Sequence, residues 1–176
     1  MNDSLFLIPL NGLAQGRTVR GLRVGKEFFE SFDNAEILDA ELDVTIETEK
    51  SGSYTGIDCR ICGNVTVPCD RCLDPLVIPL DAEAKLSVKF GAGEDGKEDD
   101  DMQDDREIIW LPEDEAELDM AQIIYDYVCL SLPAVRFHPE GGCNADVLRH
   151  LGGGSADRDT DEGGSPFSVL KGLFQN

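Results

Sequence analysis

Between Leu38 and Phe90 apolar and polar residues alternate with period two almost without a break, and a chain patterned this way must send successive side chains to opposite faces of a sheet. Leu38, Ala40, Leu42, Val44 and Ile46 alternate with Asp39, Glu41, Asp43, Thr45 and Glu47, which predicts a half-buried strand. After the turn-like Ser51-Gly52-Ser53, the odd positions Ile57, Cys59, Ile61, Val65 and Val67 keep one phase, with Gly63 expected to introduce a bulge or bend. Leu76, Ile78, Leu80, Ala82, Ala84, Leu86, Val88 and Phe90 then form a third alternating run, in which Pro79 predicts an edge or a kink. Connections this short imply an antiparallel meander with one face packed and one face wet.

The rest of the chain supplies the cover for the packed face. Leu5 to Leu10 reads as another strand, and Gly25 to Phe32 as a short helix carrying Phe28 and Phe29. Residues 91–106, GAGEDGKEDDDMQDDR, contain almost nothing to bury and are expected to form a mobile acidic loop that separates the sheet from the downstream elements. Glu107 to Leu111 reads as a strand, with Trp110 its expected core anchor. The main helix is expected between Asp119 and Leu132, where Asp119 and Gln122 have capping-box spacing and Leu118 and Ile123 hydrophobic-staple spacing. Met120, Ile124, Val128 and Leu132 make its apolar stripe, Cys129 sits beside them as a core residue, and Pro133 stops it. The predicted fold is α+β: an antiparallel sheet of four to six strands, one main helix packed on it, and a Cys-rich knot near the C-terminus. Residues 1–150 form one domain in this reading. Residues 151–176 form a flexible acidic and Gly-rich tail that ends in a short amphipathic element at Phe167 to Phe174.

Charge restricts the partners. The chain has 36 Asp and Glu against 15 Lys and Arg, a formal net charge of −21. Binding to nucleic acid normally rests on cations displacing the counterions of phosphate, so direct gripping of RNA or DNA is physically awkward for this chain. A basic protein partner is favoured, because opposite fields steer association. Arg17, Arg20, Arg23 and Lys26 gather into a small basic group that lacks the interleaved aromatics needed to stack on bases, and it reads as solvated surface. No segment has the length and apolarity of a membrane span, and no cation precedes Leu5 to Leu10 in the manner of a secretory leader. The expectation is therefore a cytoplasmic protein with reduced cysteines and no membrane partner.

The six cysteines carry the most specific chemistry. Cys69-Asp70-Arg71-Cys72 falls where the second strand must reverse into the third, and a CxxC at a hairpin tip supplies half of a tetrahedral zinc site. His138 and Cys143, in the Gly-rich stretch after the main helix, complete a candidate Cys3His set with Cys69 and Cys72, which would hold one structural zinc ion. A second assignment joins Cys59 and Cys62 to Cys69 and Cys72. Against it, Cys59 lies in phase with the core and Cys62 points the other way unless the chain bulges at Gly63.

Three other chemistries have partial signatures. A thioredoxin-like CxxC needs a helix N-terminus in a βαβ unit, whereas strands surround this one. A zinc hydrolase of deaminase type is suggested by Pro68-Cys69-x-x-Cys72 and by His138-Pro139-Glu140, with Glu140 as proton shuttle, but the order of the two elements is the reverse of that signature. Asp157, Asp159 and Asp161 imitate the start of a calcium loop, yet Glu162 stands where Gly is needed and Ser168 where the bidentate Glu belongs. No phosphate loop, nucleophile elbow or dinucleotide fingerprint occurs.

Several of these features occur together in a known pattern. Val65-Thr66-Val67-Pro68-Cys69-Asp70-Arg71-Cys72-Leu73, a long acidic insertion, Leu118-Asp119 opening a helix that ends Leu130-Ser131-Leu132-Pro133, and a closing Cys143 resemble the YceD family, the large ribosomal RNA subunit accumulation proteins. The resemblance covers about residues 30–150, and Ser165-Pro166-Phe167-Ser168-Val169-Leu170-Lys171 is similar to the short C-terminal element of that family. It implies a bacterial cytoplasmic protein in ribosome biogenesis, acting in accumulation or processing of large-subunit ribosomal RNA, and not an enzyme. Members often carry Cys where this chain has His138, so the metal ligands implied by resemblance are Cys69, Cys72 and Cys143; Cys59 and Cys62 have no counterpart. With a charge of −21, the expected route to ribosomal RNA is indirect, through a basic ribosomal protein or an assembly factor.

Overall fold

In a computed structural model that describes residues 5–91 and 106–152, the alternating runs become the centre of the molecule. β1 is Leu7–Pro9, β2 Gly16–Gly25, α1 Lys26–Glu30, β3 Asp39–Ser51, β4 Tyr54–Pro68, β5 Pro75–Phe90, β6 Glu107–Leu111, β7 Glu117–Asp119, α2 Met120–Ser131 and α3 Ala145–Gly152. The main sheet has the order β2-β3-β4-β5-β6, and β1 pairs with β7 in a separate two-stranded sheet.

The inner face of the main sheet has the predicted phase. Ala40, Leu42, Val44 and Ile46 of β3 face Val65, Gly63, Ile61 and Cys59 of β4, which face Ile78, Leu80, Ala82 and Ala84 of β5. Most of these side chains are fully buried, each worth roughly 1.5–3 kcal/mol of burial for the larger aliphatics. Leu38 and Phe90, at the two ends of the predicted runs, are the exceptions: both are exposed, and Leu38 precedes the β3 ladder. Gly63 does not introduce a bulge, since the register runs unbroken through Leu42, Gly63 and Leu80. Its φ is +150°, and a Cβ added there would collide with the Glu41 carbonyl, so glycine is needed for the close approach of two strands.

The sheet is mixed, which corrects the purely antiparallel expectation. β6 pairs parallel to β5, from Leu86 opposite Glu107 to Phe90 opposite Leu111. A parallel neighbour requires a connection of about a dozen residues or more, and residues 91–106 supply that length. The acidic segment therefore does not separate the sheet from the downstream elements; it joins two strands of one sheet. Parity along β6 also overturns the expected role of Trp110. Ile109 and Leu111 turn inward, whereas Trp110 is 44% exposed on the outer face, with the Lys89 ammonium 5.6 Å from its ring centroid.

β2 lay hidden in the Arg- and Gly-rich stretch, because only Leu22 and Val24 of its ten residues bring sizeable apolar side chains to the core. The basic residues of β2 and the start of α1 form no positive face. Arg17 pairs with Glu47, Arg23 with Asp43 at 3.1 Å and Lys26 with Glu30 at 3.2 Å, while Arg20 donates to the Leu7 carbonyl at 2.9 Å and ties β1 to the main sheet.

α1 buries Phe28 and Phe29 in an aromatic group with Phe6, Phe32 and Tyr125. α2 crosses the inner face with Met120, Ala121, Ile124 and Val128 buried. Its N-cap is Asp119, whose carboxylate accepts the Ala121 N–H at 2.8 Å, but Gln122 does not close a capping box: its amide donates to Asp126 at 2.8 Å. α3 extends past the expected domain end at His150 to Gly152. The calcium-like Asp157, Asp159 and Asp161, the terminal amphipathic element and most of the acidic loop lie outside the described residues. Among the described residues no helix is long and apolar enough to cross a membrane.

Candidate metal centre

The reversal from β4 to β5 is made by the five residues Cys69 to Leu73 with Asp74, bracketed by Pro68 and Pro75, which end one strand and open the next. The Cys69 N–H donates to the Asp74 carbonyl at 2.9 Å, and the Leu73 N–H to the Cys69 carbonyl at 2.9 Å, with Leu73 in the left-handed region at φ 63°. This tight turn points Cys69 and Cys72 the same way. After α2 the chain passes beneath it. Asp70 and Arg136 are joined three times: Asp70 N–H donates to the Arg136 carbonyl at 2.8 Å, the Asp70 carboxylate accepts the Arg136 backbone N–H at 2.6 Å, and the carboxylate lies 3.7 Å from the Arg136 guanidinium. That clamp delivers His138, and a turn closed by Gly142 N–H on the Pro139 carbonyl at 2.8 Å delivers Cys143.

The ligand atoms of Cys69, Cys72, His138 and Cys143 all lie within 4.8 Å of one another. Cys69 Sγ is 3.9 Å from Cys143 Sγ, and His138 Nδ1 is 3.4 Å from Cys72 Sγ and 3.9 Å from Cys143 Sγ. A tetrahedron with Zn–S about 2.3 Å and Zn–N about 2.0 Å has edges of about 3.8 Å between sulfurs and about 3.5 Å between sulfur and nitrogen, so the donor set fits such an ion. All three thiols are buried, and Leu76, Val147 and Leu148 pack around them, which recruits α3 to the knot. The knot spans residues 69–143, which corrects its expected place near the C-terminus.

The surroundings prepare the donors for a cation. Burial of Cys69 opposes ionisation, but hydrogen bonds from the backbone N–H groups of Cys72, Arg71 and His138 outweigh it and bring the thiol down to about 6. The imidazole of His138 is held above its ordinary value, first by its bond to the Pro75 carbonyl and then by the Cys69 thiolate. Nε2 lies 3.1 Å from that carbonyl, so Nε2 carries the proton and Nδ1 is turned towards the thiols, the orienting contact usual behind a metal-bound histidine. Cys143 is pushed up by burial and by its thiol neighbours, as expected for several sulfurs sharing one site.

The other cysteines stand apart. Cys59 is fully buried in the sheet core, where desolvation pushes it up to about 12. Cys62 lies on the outer face, with Sγ 3.2 Å from an Asp81 oxygen. Two cysteines on opposite faces cannot join Cys69 and Cys72, so the four-Cys assignment does not hold. Cys129 is only partly buried, 3.8 Å from the Asn34 amide. Glu140, the would-be proton shuttle, is exposed in the loop between His138 and Cys143. Asp70, Arg136 and Pro75 escape sequence reasoning as parts of the centre. Asp70 inside the CxxC is the one visible signal, since Asp is a common turn residue that bonds nearby backbone.

A family model described as Large ribosomal RNA subunit accumulation protein YceD matches residues 57–174, from β4 through the knot and both later helices. No curated protein and no solved structure matches the chain.

Proposed function

The chain belongs to the YceD family of large ribosomal RNA subunit accumulation proteins, and on that premise we propose that it is a non-catalytic cytoplasmic binding protein of ribosome biogenesis. It promotes accumulation or processing of large-subunit ribosomal RNA by holding a basic ribosomal protein or assembly factor. One structural zinc ion, held by Cys69, Cys72, His138 and Cys143, locks the hairpin tip to the segment after α2.

The observation that carries the non-catalytic reading is the closed donor set. Cys143 stands where an open catalytic site would keep a position for water, and Glu140 faces solvent instead of that position. When bound, zinc would supply cross-linking energy to a small domain, and the residues around it do no more than orient and bury it. The protein partner is supported by charge. A net −21 repels phosphate and attracts the basic proteins that coat ribosomal RNA.

The test is a binding assay of the full chain against salt-extracted large-subunit proteins and against naked large-subunit ribosomal RNA, over a range of salt. Capture of a basic protein that weakens steeply with salt is expected. Recovery of naked RNA with no protein present would overturn the reading.

A further inference from the structure

Away from the metal centre, α2 and the far edge of the sheet enclose an open groove of about 690 Å³. Its floor includes Leu86 of β5 and Ile123 of α2, and Leu130, 82% exposed, stands at its mouth. Glu83, Glu107 and Asp126 lie around it, and none of the described residues that line it is Lys or Arg. The Glu107 carboxylate accepts the Tyr127 hydroxyl at 3.0 Å and Asp126 accepts the Gln122 amide at 2.8 Å, so two of the acids have fixed positions. Two cations stand nearby, both engaged: Lys85 is 3.8 Å from Glu83 on the outer side, and Arg106 donates to the Leu86 carbonyl at 3.3 Å and pairs with Asp58 at 2.8 Å.

β5 passes beside the groove. β6 pairs with β5 only from Leu86 onward, so among the described residues the part of β5 before Leu86 has a sheet neighbour on one side only. Apolar floor and acidic rim together suit one kind of occupant.

We propose that this groove is the docking surface for a cationic protein segment, one that places a large apolar side chain over Leu86 and Ile123 and its Lys or Arg side chains against Glu83, Glu107 and Asp126. The assignment rests on the proposed function above and names the surface that performs it. Complementary charge at the rim sets the rate and salt dependence of docking, while the apolar contact sets residence time.

The experiment uses the full chain with a photo-crosslinking amino acid at position 130, or in a control at Val19 on the outer face, mixed with total protein extracted from large ribosomal subunits. A parallel capture compares the unaltered chain with the double variant Glu83→Lys and Asp126→Lys, both exposed positions, after its fold is verified by circular dichroism. The expected result is a cross-link from position 130 to a Lys- and Arg-rich segment, none from position 19, and a loss of capture in the double variant of roughly tenfold or more. Capture of a basic protein that the double variant retains in full, with cross-links from position 19, would overturn the groove and leave the proposed function standing. Failure of the unaltered chain to capture any basic protein would overturn both.

Discussion

The Sγ atoms of Cys69 and Cys143 lie 3.9 Å apart although 74 positions separate them in the chain. Nothing covalent joins them, since all six cysteines are free thiols. The contact closes a loop containing β5, β6, β7 and α2, and a metal ion there would remove a large part of the entropy of that loop from the unfolded chain. Purified full-length protein is expected to carry one zinc per chain, retained in Cys62→Ser and lost in Cys69→Ser and Cys143→Ser, as read by elemental analysis. Zinc that survives both of the last two changes would show that the ion sits elsewhere.

In protein stripped of metal, Cys69 is expected to ionise first. Its folded value, about 6, lies below the ordinary thiol value of 9.0, so the stabilisation from the thiolate is complete above pH 9.0 and is lost as pH falls through about 6. Cys59, pushed up to about 12, stays protonated over that range. Ultraviolet thiolate absorbance is expected to rise near pH 6, and Cys69→Ser is expected to abolish that first step. A first inflection near the ordinary thiol value would contradict the arrangement of N–H donors around Cys69.

Replacement of Gly63 by Ala is expected to cost about 2–4 kcal/mol, because a Cβ there would collide with the Glu41 carbonyl. Gly52 also has positive φ, +61°, but open space around it, so Gly52→Ala is expected to cost only about 1 kcal/mol. Urea titrations of both variants check the order; equal costs would mean that β3 and β4 leave room for a side chain at position 63.

Trp110 and Phe29 make a similar pair. Phe29→Ala is expected to cost about 3–5 kcal/mol, since the ring is fully buried, whereas Trp110→Ala is expected to cost about 1 kcal/mol or less. Trp110 emission is expected to resemble that of a solvated indole and to be quenched readily by acrylamide. A blue-shifted, protected spectrum would place the ring in a core after all.

Legibility in the sequence depended on which interactions are local. β3, β4 and β5 were legible because one buried face imposes a strict alternation, and Asp119 was legible because an N-cap acts within a turn. β2 escaped because Arg17, Gly21 and Arg23 dilute its two apolar contacts, and Trp110 was misplaced because an aromatic residue in a short strand reads as core until parity is fixed by the neighbouring strand. The parallel docking of β6 and the pairing of Ile8 with Leu118 are long-range choices with no local signature. The four candidate ligands were legible from CxxC and from His138 and Cys143 alone, while the Asp70 to Arg136 clamp that brings them together depends on backbone bonds that sequence does not display.

A structural role for the centre requires that four protein donors close it. X-ray absorption at the zinc edge of the full-length protein measures this directly. Three sulfurs at about 2.3 Å and one nitrogen at about 2.0 Å are expected, unchanged by small oxygen or halide ligands in the buffer. A spectrum with two sulfurs and an exchangeable oxygen would contradict it, because the site would then be open to substrate.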